Sequence, residues 1–210
     1  ESLTLADNSM ITLLDLRGCS NLRTLHVSNC ENLTELDVTP CFGLEQVIVA
    51  GCGNMTRVNA SSCDVLQGFD ISGTRIENVA TSYSGAGYTD FAITISHMAC
   101  IKSVNLSGTT MYFTGMMPEE TIWLGTVEYL TMQNANLTDS EVFQLINYMQ
   151  GAVKELDFSN NTAITQLDVT RFPSLVSLNV SGCTSLTNLD TSTCTQLTDL
   201  NVSNTPLENG

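Results

Sequence analysis

Apolar residues recur along this chain with a period of eleven residues. In most units they stand at positions one, four and six, as in LRTLHVSNCEN from Leu22 and LVSLNVSGCTS from Leu175. Thirteen units follow this pattern, and they begin at Ile11, Leu22, Leu33, Leu44, Met55, Leu66, Ile101, Val127, Val153, Ile164, Leu175, Leu186 and Leu197. Such a repeat indicates a solenoid, in which each short unit buries its apolar side against its neighbours.

Positions four to six of each unit read apolar, polar, apolar, which predicts a short β-strand. Side chains alternate across a strand, so positions four and six point inward and position five points to solvent. Because one unit of eleven residues cannot close a coil, we expect two units to form one rung of about 22 residues. Stacked rungs then give parallel sheets around a continuous core.

The pattern L-x-x-L-x-L-x-x-N/C-x-L resembles the leucine-rich repeat. It covers most of the chain except roughly 77–100 and 112–126. Both halves of each rung follow it, as in the doubled-strand repeats of bacterial surface and secreted leucine-rich-repeat proteins. The resemblance implies a right-handed superhelix of about nine rungs. It also implies a parallel sheet on the concave face and short parallel strands over much of the convex face.

The repeat places individual strands and one helix. Concave strands are predicted near 3–5, 25–27, 47–49, 69–71, 104–106, 130–132, 156–158, 178–180 and 200–202. Convex strands are predicted at 14–16, 36–38, 58–60, 167–169 and 189–191. Thr138 and Glu141 have the spacing of a capping box, which predicts a helix over 139–150 that stops at Gly151.

We expect a single leucine-rich-repeat domain over 1–210, with regular rungs at 1–76 and 127–210 and irregular rungs at 77–126. Neither end carries an evident polar capping segment. Solenoids need polar caps on their terminal rungs. A fragment of a longer chain, or ends that partners cover, are therefore both open alternatives.

The charge balance limits the partners. Lys and Arg number 7 against 22 for Asp and Glu, which gives a net charge of −15. Such a surface repels phosphate backbones and anionic lipids, so we expect no nucleic-acid partner. No stretch of eighteen consecutive apolar residues occurs, so we expect no membrane insertion within this chain.

Seven of the eight cysteines occupy position nine of a unit: Cys19, Cys30, Cys41, Cys52, Cys63, Cys183 and Cys194. The resemblance to leucine-rich repeats implies that this position faces inward, under the turn that follows the strand. Side chains that stack in parallel suit the dihedral angle of a disulfide poorly. We therefore expect free, buried thiols.

His97 and Cys100 offer two zinc ligands where a structural site takes four, so we expect no metal and no cofactor.

Catalytic motifs are absent from the sequence. His26 and His97 are the two histidines, and no G-x-S-x-G, P-loop or H-E-x-x-H motif occurs. We therefore expect no enzyme. A carboxylate pair on the concave sheet, as in a carbohydrate-active enzyme, remains as a weaker alternative.

Outward positions on the concave strands provide a candidate binding surface. The last rungs carry an acidic and amide-rich strip next to Tyr129, formed by Glu155, Asp157, Ser177, Asn179, Asp199 and Asn201. Tyr83 and Tyr88 in the irregular region form a candidate contact loop. Aromatic side chains give contact area at low entropic cost, and insertions in repeat arrays often bind partners. A solvated sheet face, and large side chains that fill a wider rung, are the simpler alternatives.

Together these observations predict a non-catalytic binding or adhesion module whose concave face recognises a protein or a glycan. The resemblance implies a bacterial protein outside the cytoplasm, at the cell surface or secreted. The alternative is a structural spacer or stalk of a surface protein with no specific ligand.

Overall fold

The computed structural model describes residues 1–60, 63, 65–75, 93–95, 103–107, 127–149 and 152–207. Over these residues the chain forms a solenoid of short parallel strands with one helix. Successive strands alternate between two faces because each eleven-residue unit contributes one strand and one turn. No helix among the described residues is long and apolar enough to cross a membrane.

One face carries a continuous sheet of nine parallel strands, here called the long sheet. Its strands are β1 (Ser2–Ala6), β2 (Thr24–Ser28), β4 (Gln46–Ala50), β6 (Gly68–Asp70), β8 (Ser103–Asn105), β9 (Tyr129–Thr131), β10 (Glu155–Asp157), β12 (Ser177–Asn179) and β14 (Asp199–Asn201). Equivalent positions pair directly, as Leu156 does with Leu178. The nine strands predicted for the concave face are thus confirmed, each within a residue or two.

The opposite face, here called the short face, carries two smaller parallel sheets. Three strands form the first sheet: β3 (Glu35–Asp37), β5 (Arg57–Ala60) and β7 (Ile93–Ile95). Two strands form the second: β11 (Gln166–Asp168) and β13 (Asn188–Asp190). Four of the five predicted convex strands are therefore present. Strand β7 lies in the region predicted to be irregular, and it pairs in register with β5.

The prediction of a strand at 14–16 is wrong. Asp15 accepts the backbone N–H of Arg17, but Asp37 and Asp168 accept the equivalent N–H and still lie in strands, so this bond does not exclude a strand. Across the described part of the chain, no backbone hydrogen bond joins 12–16 to β3. The apolar–polar–apolar pattern is present there, but a strand also requires a backbone ladder with its neighbour.

The inward positions of both faces form one hydrophobic core. Leu25, Val27, Leu178 and Val180 are all less than 2% exposed. Position nine is inward as predicted, and six of its cysteines are buried while Cys19 is partly buried. The seven described cysteines are thiols and not disulfides. Six of them, Cys30, Cys41, Cys52, Cys63, Cys183 and Cys194, hydrogen-bond to backbone carbonyls, as Cys183 Sγ does with the Phe158 oxygen at 3.2 Å. Cys100 lies outside the described residues.

Asn161 shows why position nine accepts polar residues. Its side-chain amide donates to the carbonyls of Met132 and Phe158 at 2.8 and 2.7 Å. Its carbonyl oxygen accepts the backbone N–H groups of Ala135 and Leu137 at 2.9 and 3.1 Å. The side chain is fully buried, and each of its polar atoms has a partner, which removes the cost of burying an amide.

Helix α1 (Asp139–Tyr148) replaces a strand on the short face between β7 and β11. The predicted capping box is present, since the Glu141 carboxylate accepts the backbone N–H of Thr138 at 2.9 Å. The helix ends at Tyr148 and Met149 is extended. The predicted end at Gln150 and Gly151 lies outside the described residues.

Asp139 joins this helix to the start of β11. Its Oδ1 accepts the backbone N–H groups of Thr165 and Gln166 at 2.7 and 3.3 Å. One rung later, the carbonyl of Thr165 accepts the equivalent N–H groups of Thr187 and Asn188 at 2.9 and 3.3 Å. Oδ1 of Asp139 therefore accepts the same pair of N–H groups that the backbone carbonyl of Thr165 accepts in the next rung.

Candidate functional site

Seven of the predicted site residues lie together on the long sheet. Tyr129 is on β9, Glu155 and Asp157 are on β10, and the rest lie on β12 and β14. The strand register places Tyr129 beside Glu155, Glu155 beside Ser177, and Ser177 beside Asp199. Asp157, Asn179 and Asn201 form a second line at position five. Tyr83 and Tyr88 lie outside the described residues.

Position five has a local structural role. Oδ1 of Asp157 accepts the backbone N–H of Ser159 at 2.9 Å, and Oδ1 of Asn179 accepts that of Ser181 at 3.1 Å. This is an Asx turn, which stabilises the bend at the end of each strand. The residue after each N–H donor has a positive φ, 61° at Asn160 after Ser159 and 73° at Gly182 after Ser181. The side chain at position five therefore helps to fix the turn.

The short face uses the same bond. Oδ1 of Asp37 accepts the N–H of Thr39 at 3.0 Å, Asp168 that of Thr170 at 2.9 Å, and Asp190 that of Ser192 at 2.9 Å. The hydrogen bonds from Ser192 lower the pKa of Asp190. Aspartate or asparagine at position five is thus a feature of the repeat on both faces. Its presence alone does not indicate a binding site.

On the long sheet, position five also makes bonds from rung to rung. Oδ2 of Asp157 accepts the side-chain amides of Gln133 and Asn179 at 2.6 and 3.0 Å. Farther along the sheet, Oδ2 of Asp70 accepts the Asn105 amide at 3.0 Å. Asp157 is therefore held by three donors on three different rungs, and its orientation is fixed before any partner binds.

Gln133 is a residue of this surface that sequence reasoning missed. It stands at position seven of its unit, where Ser107, Ser159 and Ser181 stand on neighbouring rungs. The sequence feature that could have indicated it is a long polar side chain at a position where the neighbouring rungs have serine. Its partner could not be read from the sequence, because the bond joins residues 24 apart on adjacent rungs.

The residues at position three differ from those at position five. Tyr129, Glu155, Ser177 and Asp199 form a line across four adjacent strands, here called the position-three row. Tyr129 is 36% exposed, and Glu155 and Asp199 are exposed. Within the described part of the chain, the side chains of Tyr129, Glu155 and Ser177 make no hydrogen bond. Asp199 is bonded to the neighbouring Thr198 hydroxyl at 3.0 Å.

The charges near this row are mostly negative. Lys154 lies next to it, and its ammonium contacts the Glu128 carboxylate at 2.5 Å. That hydrogen bond raises the pKa of Lys154. Glu155, Asp157 and Asp199 are left without a cationic partner among the described residues.

The chemical groups on this surface are of few kinds. No group of three or more His, Cys, Asp or Glu side chains in the described ranges could hold a metal ion. His26 lies on β2 between Thr4 and Ile48 of the neighbouring strands, with no carboxylate at that register. The surface instead offers an exposed aromatic ring, carboxylates and amides on a rigid sheet.

Comparisons with known proteins address the fold. No family model matches the sequence, and no curated protein matches it. Among solved structures, the chain is similar to the functional domain of InlJ from Listeria monocytogenes, which includes a cysteine ladder. The identity is 16%, the TM-score is 0.56, and the likeness covers 100% of this chain and 54% of that one.

A second similar structure is TLR13 in its complex with ssRNA13. The identity is 15%, the TM-score is 0.54, and the likeness covers 90% of this chain and 29% of that one. The chain therefore spans about half the length of the InlJ domain and less than a third of TLR13. The eleven-residue repeat, the parallel solenoid and these two likenesses together show that this chain has the leucine-rich-repeat fold.

Proposed function

We propose that this chain is a non-catalytic binding module that recognises a protein or a glycan through the position-three row of the long sheet. The observation that carries the proposal is the contrast within that sheet. The neighbouring position-five side chains are bonded to the protein itself, whereas Tyr129, Glu155 and Ser177 keep their polar groups available.

The rigidity of the support favours recognition. Each member of the row lies on a strand that is paired on both sides, except Asp199 on β14. Binding groups held on regular elements lose little conformational entropy when a partner binds. A structural spacer would not need an exposed tyrosine on this face.

The partner classes follow from charge. With a net charge of −15, a nucleic acid is a poor candidate, although TLR13 is seen in a complex with ssRNA13. The repeat's resemblance to bacterial surface and secreted proteins supports a location outside the cytoplasm. Adhesion at a cell surface is consistent with that location.

The test is a binding screen with matched variants. The wild-type chain is applied to glycan and protein arrays, and each positive ligand is titrated against Tyr129→Ala and Glu155→Gln. Gln166→Ala and Asn188→Ala change position three on the short face and serve as controls. We expect about a tenfold loss for the first pair and no change for the second. A spacer would give no reproducible ligand on either array.

A further inference from the structure

The carboxylates at positions three, five and seven of the long sheet lie mostly on its last strands, with Asp70 on β6 as the exception. Positions three, five and seven of β1, β2 and β4 contain no carboxylate. On β10 and β14 the same positions contain Glu155, Asp157 and Asp199. Gln133 and Asn179 donate to Asp157 but are neutral, and Lys154 is paired with Glu128. A partner that carries positive charge would therefore be attracted to this part of the sheet.

The spacing within the position-three row restricts the shape of that partner. Glu155 and Asp199 are separated by two strand intervals, because Ser177 lies between them in the register. At the usual distance between strands, this places their Cα atoms about 9.6 Å apart. A polyproline II helix returns to the same side every third residue, after about 9.3 Å. Same-side residues of a β-strand recur after about 6.6 Å, which fits neither one nor two intervals.

Tyr129 adds a contact for the same kind of segment. It lies one strand before Glu155 in the row, and its side chain is exposed. Polyproline II segments dock against aromatic side chains, which pack on the faces of their proline rings. The row thus presents an aromatic ring, then a carboxylate, a small hydroxyl and a second carboxylate along one line.

We propose that the position-three row receives an extended, polyproline II segment of a partner protein with lysine or arginine at every third residue. The two cationic side chains pair with Glu155 and Asp199, and the residues between them pass over Ser177. The residues that flank the first cation, beyond Glu155, pack against Tyr129. This inference rests on the proposed function and deepens it by naming the partner's chemistry. A glycan partner is the outcome that would replace it.

The probe is a short fluorescein-labelled peptide of Lys-Pro-Pro repeats, titrated by fluorescence anisotropy at low and at physiological salt. A Lys-Ser repeat peptide with the same number of lysines, extended with serine to the same length, tests the spacing. The double variant Glu155→Gln/Asp199→Asn removes both charges, and Asp168→Asn/Asp190→Asn removes two charges from the short face. Asparagine keeps the turn acceptor in the control, so both double variants should fold.

We expect the Lys-Pro-Pro peptide to bind the wild type more tightly than the Lys-Ser peptide. The long-sheet double variant should weaken it about tenfold, Tyr129→Ala should also weaken it, and the short-face double variant should not. Equal loss in the two double variants would mean attraction to net charge alone and would overturn the proposal. Equal binding of the two peptides would overturn it as well.

The two proposals fail separately. If the cationic peptides do not bind but Glu155→Gln weakens a ligand from the arrays, the polyproline II inference is wrong and the binding surface stands. If neither the peptides nor any array ligand responds to changes in the position-three row, both are wrong.

Discussion

On the last rungs, the two faces of the solenoid have nearly the same residues at position five. These residues differ, however, in the hydrogen bonds that they make. Asp157 on the long sheet and Asp168 on the short face both accept the N–H that follows their strand. Only Asp157 also accepts amides from the rungs before and after it. The same residue type is therefore a local turn acceptor on one face and part of a network between rungs on the other.

This difference teaches how to separate structure from function in a repeat. A residue that recurs on both faces, as aspartate does at position five, serves the repeat itself. A residue that breaks the repeat on one face, as Tyr129 and Gln133 do, needs another explanation. Tyr129 is of the second kind, because position three of the short-face strands carries only polar or charged residues among those described: Glu35, Arg57, Gln166 and Asn188.

The largest expected effect is that of Asp157→Ala. Asp157 is half-buried, and the substitution removes its carboxylate, which accepts three hydrogen bonds. The donors are the backbone N–H of Ser159 and the side-chain amides of Gln133 and Asn179. We expect the free energy of unfolding to fall by about 2 kcal/mol, measured by urea denaturation. Gln133→Ala is the matched test of the rung-to-rung bond, and it should lose part of that amount. No loss in either variant would mean that the network contributes nothing.

Asp168→Ala should have a smaller effect. Among the described residues, its carboxylate accepts the backbone N–H and the hydroxyl of Thr170 alone, at 2.9 and 2.6 Å, and the side chain is exposed. We expect a loss of about 1 kcal/mol in the same urea measurement. A loss equal to that of Asp157→Ala would show that the turn bond, and not the network between rungs, stabilises both faces.

The short face does have one carboxylate that links rungs, and its effect depends on pH. Burial raises the pKa of Asp139, but hydrogen bonds from Thr165 and Gln166 outweigh burial and the pKa is lowered. Because the folded pKa lies below the unfolded one, this stabilisation is complete above the unfolded value. It is lost as the pH falls through the folded value.

We therefore expect the wild type to lose stability below about pH 4, the ordinary range of an aspartate. Asp139→Asn should be less stable at neutral pH, by roughly 1 kcal/mol, and should lose less on acidification. Urea denaturation at a series of pH values measures both. Parallel curves for the two proteins would show that Asp139 does not contribute to the acid sensitivity.

The sequence predicted most of the fold because the eleven-residue repeat encodes it in every unit. It failed at 14–16, where Leu14, Asp15 and Leu16 have the same pattern as later strands but, among the described residues, make no backbone hydrogen bond to β3. It also gave Asp157 and Asn179 the same role as Glu155. Hydrogen bonds to a turn and to the next rung depend on how rungs stack, and a pattern of apolar and polar positions does not contain that information.

The smallest expected effect completes the comparison between positions three and five. Glu155 lies on the same strand as Asp157, but its carboxylate has no hydrogen-bond partner among the described residues. Its replacement by the isosteric glutamine removes charge without removing volume or a bond. We expect Glu155→Gln to change the free energy of unfolding by less than about 0.5 kcal/mol, as exposed substitutions usually do. A slight gain is consistent with less repulsion in a chain of net charge −15. A loss of stability comparable to that of Asp157→Ala would mean that Glu155 also belongs to the structural network. The proposal that the position-three row is a binding surface would then be wrong.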